Sequence, residues 1–152
     1  MSTTLVTPRH SSVLETPAAE STEARAHFAA KLAFETDPSD VHADLAKGVT
    51  GFLVIDCRSP ESYAKGHIPG ALSLPYRTID ATTATRLPKD KTLVTYCSNL
   101  TCNASTKGAL RLSELGFRVK EMVGGFESWS KKGYPVAGGT AAGEFTATVT
   151  LN

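Results

Sequence analysis

The chain has 152 residues, a formal net charge of +1, 41% hydrophobic and 20% charged residues, which describes one globular domain with a single core and excludes a disordered tail. Its apolar runs are only a few residues long, too short for a bilayer-spanning helix, and the opening MSTTLVTPRHSSVLETP lacks the basic-then-apolar order of a secretory signal. Three cysteines are an odd, small number that argues against a disulfide framework and for a reducing, cytoplasmic setting with at least one thiol free to react.

Residues 1–15 are polar and read as frayed. Thr16-Pro17 offers a helix start, with Thr16 as N-cap and Pro17 at the first helical position. The Ala-rich residues 18–32 then carry Ala24, Phe28 and Leu32 at helical spacing. Residues 33–36 fit either the end of that helix or a short strand. Asp37-Pro38 repeats the cap, and Val41 and Leu45 share a face before Gly48 stops the second helix. At residues 52–55 the period changes: Phe-Leu-Val-Ile is a continuous apolar run of strand length, as expected of a strand covered on both faces. Ser59-Pro60 starts a short helix that Gly66 ends. Residues 71–74 read as a short strand, 78–87 as a helix and 92–96 as a second buried strand. After a short loop a helix runs to Leu115, with Ala104, Gly108, Leu112 and Leu115 on one face; Gly116 suits its C′ position. A strand over 118–123 and a short helix over 126–132 follow. Strands alternating with helices imply an α/β fold, a parallel sheet with helices on its faces. Residues 138–143 read as a flexible linker. Beyond it Phe145, Ala147, Val149 and Leu151 alternate with threonines, a pattern that suits either an added strand or a mobile tail.

Charge is uneven. Residues 1–47 hold 4 basic and 7 acidic side chains, whereas residues 86–132 hold 9 and 4. No basic stripe is interleaved with aromatics, which speaks against a nucleic-acid partner. The four histidines, His10, His27, His42 and His67, show no metal-ligand spacing with the cysteines. There is no Gly-x-Ser-x-Gly elbow and no Gly-Lys-Ser/Thr phosphate loop.

Chemistry concentrates where Tyr96-Cys97 ends a buried strand and Ser98-Asn99-Leu100-Thr101-Cys102 leads into a helix. In a parallel sheet ligands bind beyond the strand carboxyl ends. A helix N-terminus placed there brings free N–H groups and about half a positive charge. A free thiol with a pKa of about 8.5 is only about 3% ionised at pH 7. Lowering that pKa by roughly two, about 2.7 kcal/mol, makes it mostly thiolate. Strand, cysteine, loop and helix thus make a nucleophile and an anion pocket together. On the pattern alone Cys97 is either that nucleophile or a buried structural thiol.

Tyr63-Ala-Lys-Gly-His67-Ile-Pro-Gly-Ala71 resembles the N-terminal signature of the rhodanese family and follows Ile55-Asp56-Cys57-Arg58, which is similar to that family's Asp-x-Arg. Gly124-Gly125-Phe-Glu-Ser-Trp129 with Gly133-Tyr-Pro135 resembles its C-terminal signature. Cys97 falls where the family has its catalytic cysteine. The likeness covers roughly residues 34–137, leaving residues 1–33 as an N-terminal extension and 138–152 as a C-terminal tail. It implies a single-domain, three-layer rhodanese-like fold, its parallel sheet flanked by helices on both faces. It implies a sulfurtransferase whose Cys97 takes sulfane sulfur from thiosulfate or a thiol persulfide and passes it to cyanide or a thiol, without metal or organic cofactor. The amides of Ser98, Asn99, Leu100, Thr101, Cys102 and Asn103 would cradle the charged sulfur. Asp56 and Arg58 would brace the loop, and His67 would be a turn residue and not a base.

Three departures stand out. The loop has no basic residue to bind an anionic donor, so thiosulfate is expected to be a poorer donor than a thiol persulfide. The usual loop glycine is missing, so Leu100 or Thr101 must adopt a left-handed turn or the loop takes another path. The interval from Cys97 to Gly116 is a residue or two longer than the common form. Cys102 has two readings, a resolving thiol able to accept sulfur or pair with Cys97, or a small residue packed at the helix start. Cys57 reads as a core thiol. The expected partners are a small-molecule donor and acceptor, with no membrane, in a monomer or homodimer. Two rivals share the fold. A phosphatase would need Cys-x₅-Arg, but Asn103 stands at the arginine's place. A non-catalytic binding or persulfide-carrier module would not need turnover at Cys97.

Overall fold

The computed structural model describes residues 2, 4, 5, 7 and 9–143; the alternating stretch from Phe145 to Leu151 lies outside the described residues. The chain divides into two compact units, Met1–Lys31 and Leu32–Asn152. The first unit contains most of α1 (Ser21–Phe34), which starts later than the Thr16-Pro17 signal suggests. Glu23 lies in its first turn, where the helix dipole favours a carboxylate, and Lys31 in its last. None of its residues is buried, and Phe28 and Leu32 are exposed.

The second unit begins with β1 (Glu35–Thr36), shorter than the 33–36 stretch because α1 runs through Phe34. In α2 (Pro38–Ala46) Asp37 is the N-cap, its carboxylate accepting from Asp40 N at 2.9 Å, with Val41 buried. β2 (Phe52–Asp56) leads to α3 (Pro60–Lys65), capped by Ser59 and ended at Gly66. β3 is Leu72–Ser73. The helix expected over 78–87 is instead two 3-10 turns, Tyr76–Thr78 and Thr83–Arg86. Side chains explain this. Thr83 N donates to Asp80 Oδ1 at 2.8 Å, and Thr83 Oγ1 donates to Thr78 O at 2.7 Å, so local polar groups outcompete the helical ladder. β4 (Thr92–Tyr96), α4 (Ala104–Glu114), β5 (Val119–Met122) and α5 (Gly125–Lys131) complete the unit.

The strands form one parallel sheet in the order β1-β5-β4-β2-β3. The two-residue period of the strands sends alternate side chains into two cores. Ile55, Leu93 and Cys97 pack with Leu112 of α4, Leu74 and Phe117 on one face. Val54, Val94 and Tyr96 pack with Val41 of α2, Ile68 and Trp129 of α5 on the other. The result is the α/β sheet with helices on both faces expected from the element order. Residues 137–142 are not a free linker. They form an antiparallel bridge between Ala137 and His67, and Gly70 N donates to Ala142 O and Gly139 N to Ala64 O. Among the described residues no helix is long and apolar enough to cross a membrane.

Candidate active site

After β2 the chain adds β3 on one side, and it later places β4 on the other. This reversal opens a crevice at the carboxyl ends of β2, β3 and β4, the place where open parallel sheets bind ligands. A cavity of about 470 Å³ lies there, lined by the segments that leave those three strands, including Cys57 to Pro60, Pro75 to Thr78, and Cys97, Ser98, Cys102 and Ala104. Cys97 is only 2% exposed and forms part of its wall.

The loop after Cys97 is positioned from behind by α5. Phe126 N donates to Cys97 O and Glu127 N to Ser98 O, both at 2.8 Å. Because the carbonyl and the following N–H of a trans peptide point oppositely, the amides of Ser98 and Asn99 turn away from α5. The Gly124-Gly125 pair permits this close approach. Gly125 has φ +62°, and a Cβ there would meet Cys97 O at 2.5 Å and Ser98 C at 2.8 Å. Farther on the loop bonds to itself. Cys102 N donates to Asn99 O at 3.2 Å, and Thr101 N to Asn99 Oδ1 at 3.0 Å. The amides of Thr101 and Cys102 are therefore engaged within the loop. Among the described residues no non-glycine has positive φ, so the missing loop glycine is met by another path, not by a left-handed Leu100 or Thr101. Asn103 stands as N-cap of α4 without a side-chain cap bond.

Cys102 does more than pack at the helix start: Cys97 and Cys102 are joined by a disulfide, their Cα atoms 6.1 Å apart, a separation within the usual range for such bridges. Cys57 is the free cysteine and is buried. Burial pushes its thiol far above the ordinary range, and the charges of Asp56 and Glu121 add to the effect.

Asp56 and Arg58 form a buried, bidentate ion pair, Nη2 to Oδ2 at 2.7 Å and Nε to Oδ1 at 3.0 Å. Burial opposes the Arg58 charge, but the hydrogen bond and charge of Asp56 outweigh it and hold the guanidinium above its ordinary pKa. Arg58 Nη2 also donates to Gly66 O at 2.6 Å, and its guanidinium lies 4.5 Å from the centre of the Phe126 ring. Tyr96 OH donates to Asp56 Oδ2 at 2.7 Å and accepts from Ile68 N at 3.2 Å. Burial and then the Asp56 charge raise the Tyr96 phenol well above its usual value, so it stays a donor. The pair thus links the ends of β2 and β4, the Gly66 turn and the start of α5. His67 is fully buried, stacked on Tyr63, with its ring nitrogens facing Tyr63 O and Ala142 O at 2.8 and 2.9 Å. It is not among the residues lining the cavity.

Two groups escaped the sequence reading. The first is a cationic rim. Tyr76 and Arg77 line the cavity, and the Tyr76 ring has Arg77, Lys107 and Arg111 within 5.2–5.5 Å of its centre. The hydrogen bond from Arg77, with the charges of Arg77 and Lys107, lowers the Tyr76 phenol. An aromatic-basic dipeptide two residues beyond a parallel strand was the available signal. The second is Glu121, whose Oε2 accepts from Ser105 Oγ at 2.7 Å and Thr106 Oγ1 at 2.6 Å in the first turn of α4. It sets a carboxylate at the helix end that the loop reading reserves for a thiolate.

A model of the Rhodanese-like domain matches residues 37–132. The crystal structure of the BH2092 protein from Bacillus halodurans superposes with a TM-score of 0.77 at 41% identity, covering 88% of this chain and 95% of that one. A sulfurtransferase from Allochromatium vinosum is 34% identical over 85 residues, 55% of this chain and 77% of that protein. The HTH-type transcriptional regulator Rv0324 of Mycobacterium tuberculosis is 31% identical over 90 residues, and the match spans 59% of this chain but only 39% of the regulator. With this fold, the cysteine after β4 and the family match, the chain belongs to the rhodanese-like family, which includes sulfurtransferases.

Proposed function

We propose that the protein transfers sulfane sulfur through a persulfide on Cys97. With its thiol reduced, the Cys97 thiolate attacks the outer sulfur of the donor. The donor's S–S bond breaks, sulfite leaves from thiosulfate or a thiol leaves from a persulfide, and the outer sulfur remains on Cys97. A nucleophile, cyanide or a thiolate, then attacks that outer sulfur and restores the Cys97 thiolate. The observation that carries this reading is the place of Cys97: it directly follows a central parallel strand, borders a 470 Å³ cavity and starts a loop whose carbonyls are tied to α5. That arrangement aims the amides of Ser98 and Asn99 away from α5 and makes them the first donors to a negatively charged sulfur, with Leu100 and Asn103 contributing as the loop opens. The Asp56–Arg58 pair acts as a brace, because the carboxylate and Arg58 Nε and Nη2 bond to one another, to Tyr96 OH and to Gly66 O, while the guanidinium also borders the cavity.

The cationic rim changes the expected donor. Arg77, Lys107 and Arg111 offer an anion the charge that the loop itself lacks, so thiosulfate remains a usable donor alongside thiol persulfides. The test is thiocyanate formation by the reduced protein from thiosulfate or glutathione persulfide with excess cyanide. Wild type turns over, and Cys97→Ala forms no thiocyanate above the uncatalysed background. Undiminished turnover by Cys97→Ala overturns the proposal.

A further inference from the structure

We propose that Cys102 is an internal acceptor that resolves the Cys97 persulfide, so that the protein reduces sulfane sulfur to sulfide at the cost of its own two thiols. The inference rests on the persulfide reading of Cys97 and adds a second fate for the sulfur it carries.

Three observations carry it. The disulfide joins Cys97 to Cys102 within a loop whose other anchors are in place, namely the bonds from Phe126 N and Glu127 N and the turn from Cys102 N to Asn99 O. Reaching Cys97 therefore requires no unfolding. Both sulfur-bearing residues also line the same cavity, so a donor and a departing sulfide share one exit. Finally, the remaining thiol, Cys57, is buried and held protonated, which leaves Cys102 as the resolving partner. With only five residues of sequence separation, the second thiol is present at a high effective concentration that a free thiol cannot match.

The contact seen is between Cys102 Sγ and Cys97 Sγ, the sulfur that becomes the inner atom of the persulfide. Attack on this inner atom forms the Cys97–Cys102 bond and breaks the bond to the outer sulfur. The thiol proton of Cys102 passes to the outer sulfur, which departs as hydrosulfide, a weaker base than an alkyl thiolate and hence the better leaving group. Atoms and charge balance: a Cys97 persulfide anion and a Cys102 thiol give the disulfide and hydrosulfide. The sulfane sulfur is reduced by two electrons, and the two cysteine sulfurs are jointly oxidised by two. A dithiol reductant then reopens the disulfide by exchange, becoming a disulfide itself.

Multiple turnover with a dithiol does not discriminate, because the dithiol can attack a persulfide directly. The test is a single turnover. Protein is reduced, freed of reductant and mixed with thiosulfate without acceptor, and sulfide and intact mass are read together for wild type, Cys102→Ser and Cys102→Ala. Wild type is expected to release one sulfide per chain and to end two hydrogens lighter than its dithiol form. Both Cys102 variants are expected to release no sulfide and to hold one added sulfur on Cys97. If wild type also keeps the added sulfur and releases no sulfide, the resolving role is overturned while the persulfide reading stands. If the variants take up no sulfur from thiosulfate or glutathione persulfide, both fall together.

Discussion

Two cysteines lie side by side in this fold and differ in nearly everything chemical. Asp56 of β2 pairs in register with Tyr96 of β4, so Cys57 and Cys97 each follow the last residue of adjacent strands, and Cys57 N donates to Tyr96 O at 3.1 Å. Their exposures are 1% and 2%, and both border the cavity. Accessibility therefore does not separate them. Their neighbours do. The chain after Cys57 turns into the Arg58–Asp56 pair, and Gly108 of α4 lies over its sulfur, where a Cβ would come within 2.6 Å of Cys57 Sγ. The chain after Cys97 opens into a loop held from behind by amides of α5. One thiol sits beside a carboxylate and under a helix, and the other begins a loop whose Ser98 and Asn99 amides turn away from α5. Burial raises the Cys57 thiol first and the charges of Asp56 and Glu121 raise it further, so any reactivity of the equally buried Cys97 is expected to come from its own local field.

The largest effect expected on this contrast comes from the group beneath both cysteines. Asp56→Asn leaves the Arg58 guanidinium buried without its anion, and breaking such a pair costs about 3–5 kcal/mol. Urea unfolding should show that loss, with transfer activity falling as the ends of β2 and β4 part. A loss below about 1 kcal/mol contradicts the bracing role.

The two glycines that face the two cysteines provide a finer comparison. Gly125→Ala drives a Cβ into the backbone at Cys97 and Ser98 and places a non-glycine residue at φ +62°, so about 1–3 kcal/mol of stability is expected to go, together with most of the turnover. Gly108→Ala also crowds a cysteine, but it is Cys57 Sγ, and alanine returns about 1 kcal/mol of helix propensity. It should leave turnover near wild type while shifting the melting temperature. Equal losses of activity in the two variants would erase the distinction between the two cysteines. A gentler probe is alkylation of the reduced, native protein at neutral pH. A raised pKa means that Cys57 stays protonated at pH 7, since its thiolate appears only as the pH climbs toward that raised value. Iodoacetamide should therefore label Cys97 and Cys102 and reach Cys57 only after unfolding, as peptide mass mapping will show.

How much of this was legible beforehand depended on how local the cause was. The strands at Phe52–Asp56 and Thr92–Tyr96, the Asp37 and Ser59 caps and the Gly116 stop all follow from neighbouring residues, and each stands where periodicity and capping put it. The 78–87 helix failed because Asp80 and Thr83 bond to the backbone on their own, a competition that apolar spacing does not register. The 138–143 linker failed for the opposite reason: small residues look flexible in isolation, yet these meet the distant Ala64, His67 and Gly70. At the site, Cys97, Asp56 and Arg58 were evident from their motifs, but the reach of Glu121 to the start of α4 depends on strand order. So does the gathering of cations around Tyr76, since Arg77 and the pair Lys107 and Arg111 come from segments about thirty residues apart.

That gathering yields the smallest expected effect and the one that bears most directly on the donor. Arg77 is exposed and lines the cavity, and its Nε donates to Tyr76 OH at 3.0 Å. Exposed charges contribute little singly, about 0.2–1 kcal/mol, so Arg77→Ala should raise the KM for thiosulfate only about two- to fivefold. The kcat should hold, because the thiolate and its loop donors are untouched. The effect should shrink as salt rises, for the attraction is between a solvated cation and a small dianion. A donor of low charge should be nearly indifferent to the change. A fall in kcat at unchanged KM would instead assign Arg77 to the transfer step, and the division between a charged rim that gathers donors and an uncharged loop that performs the chemistry would no longer hold.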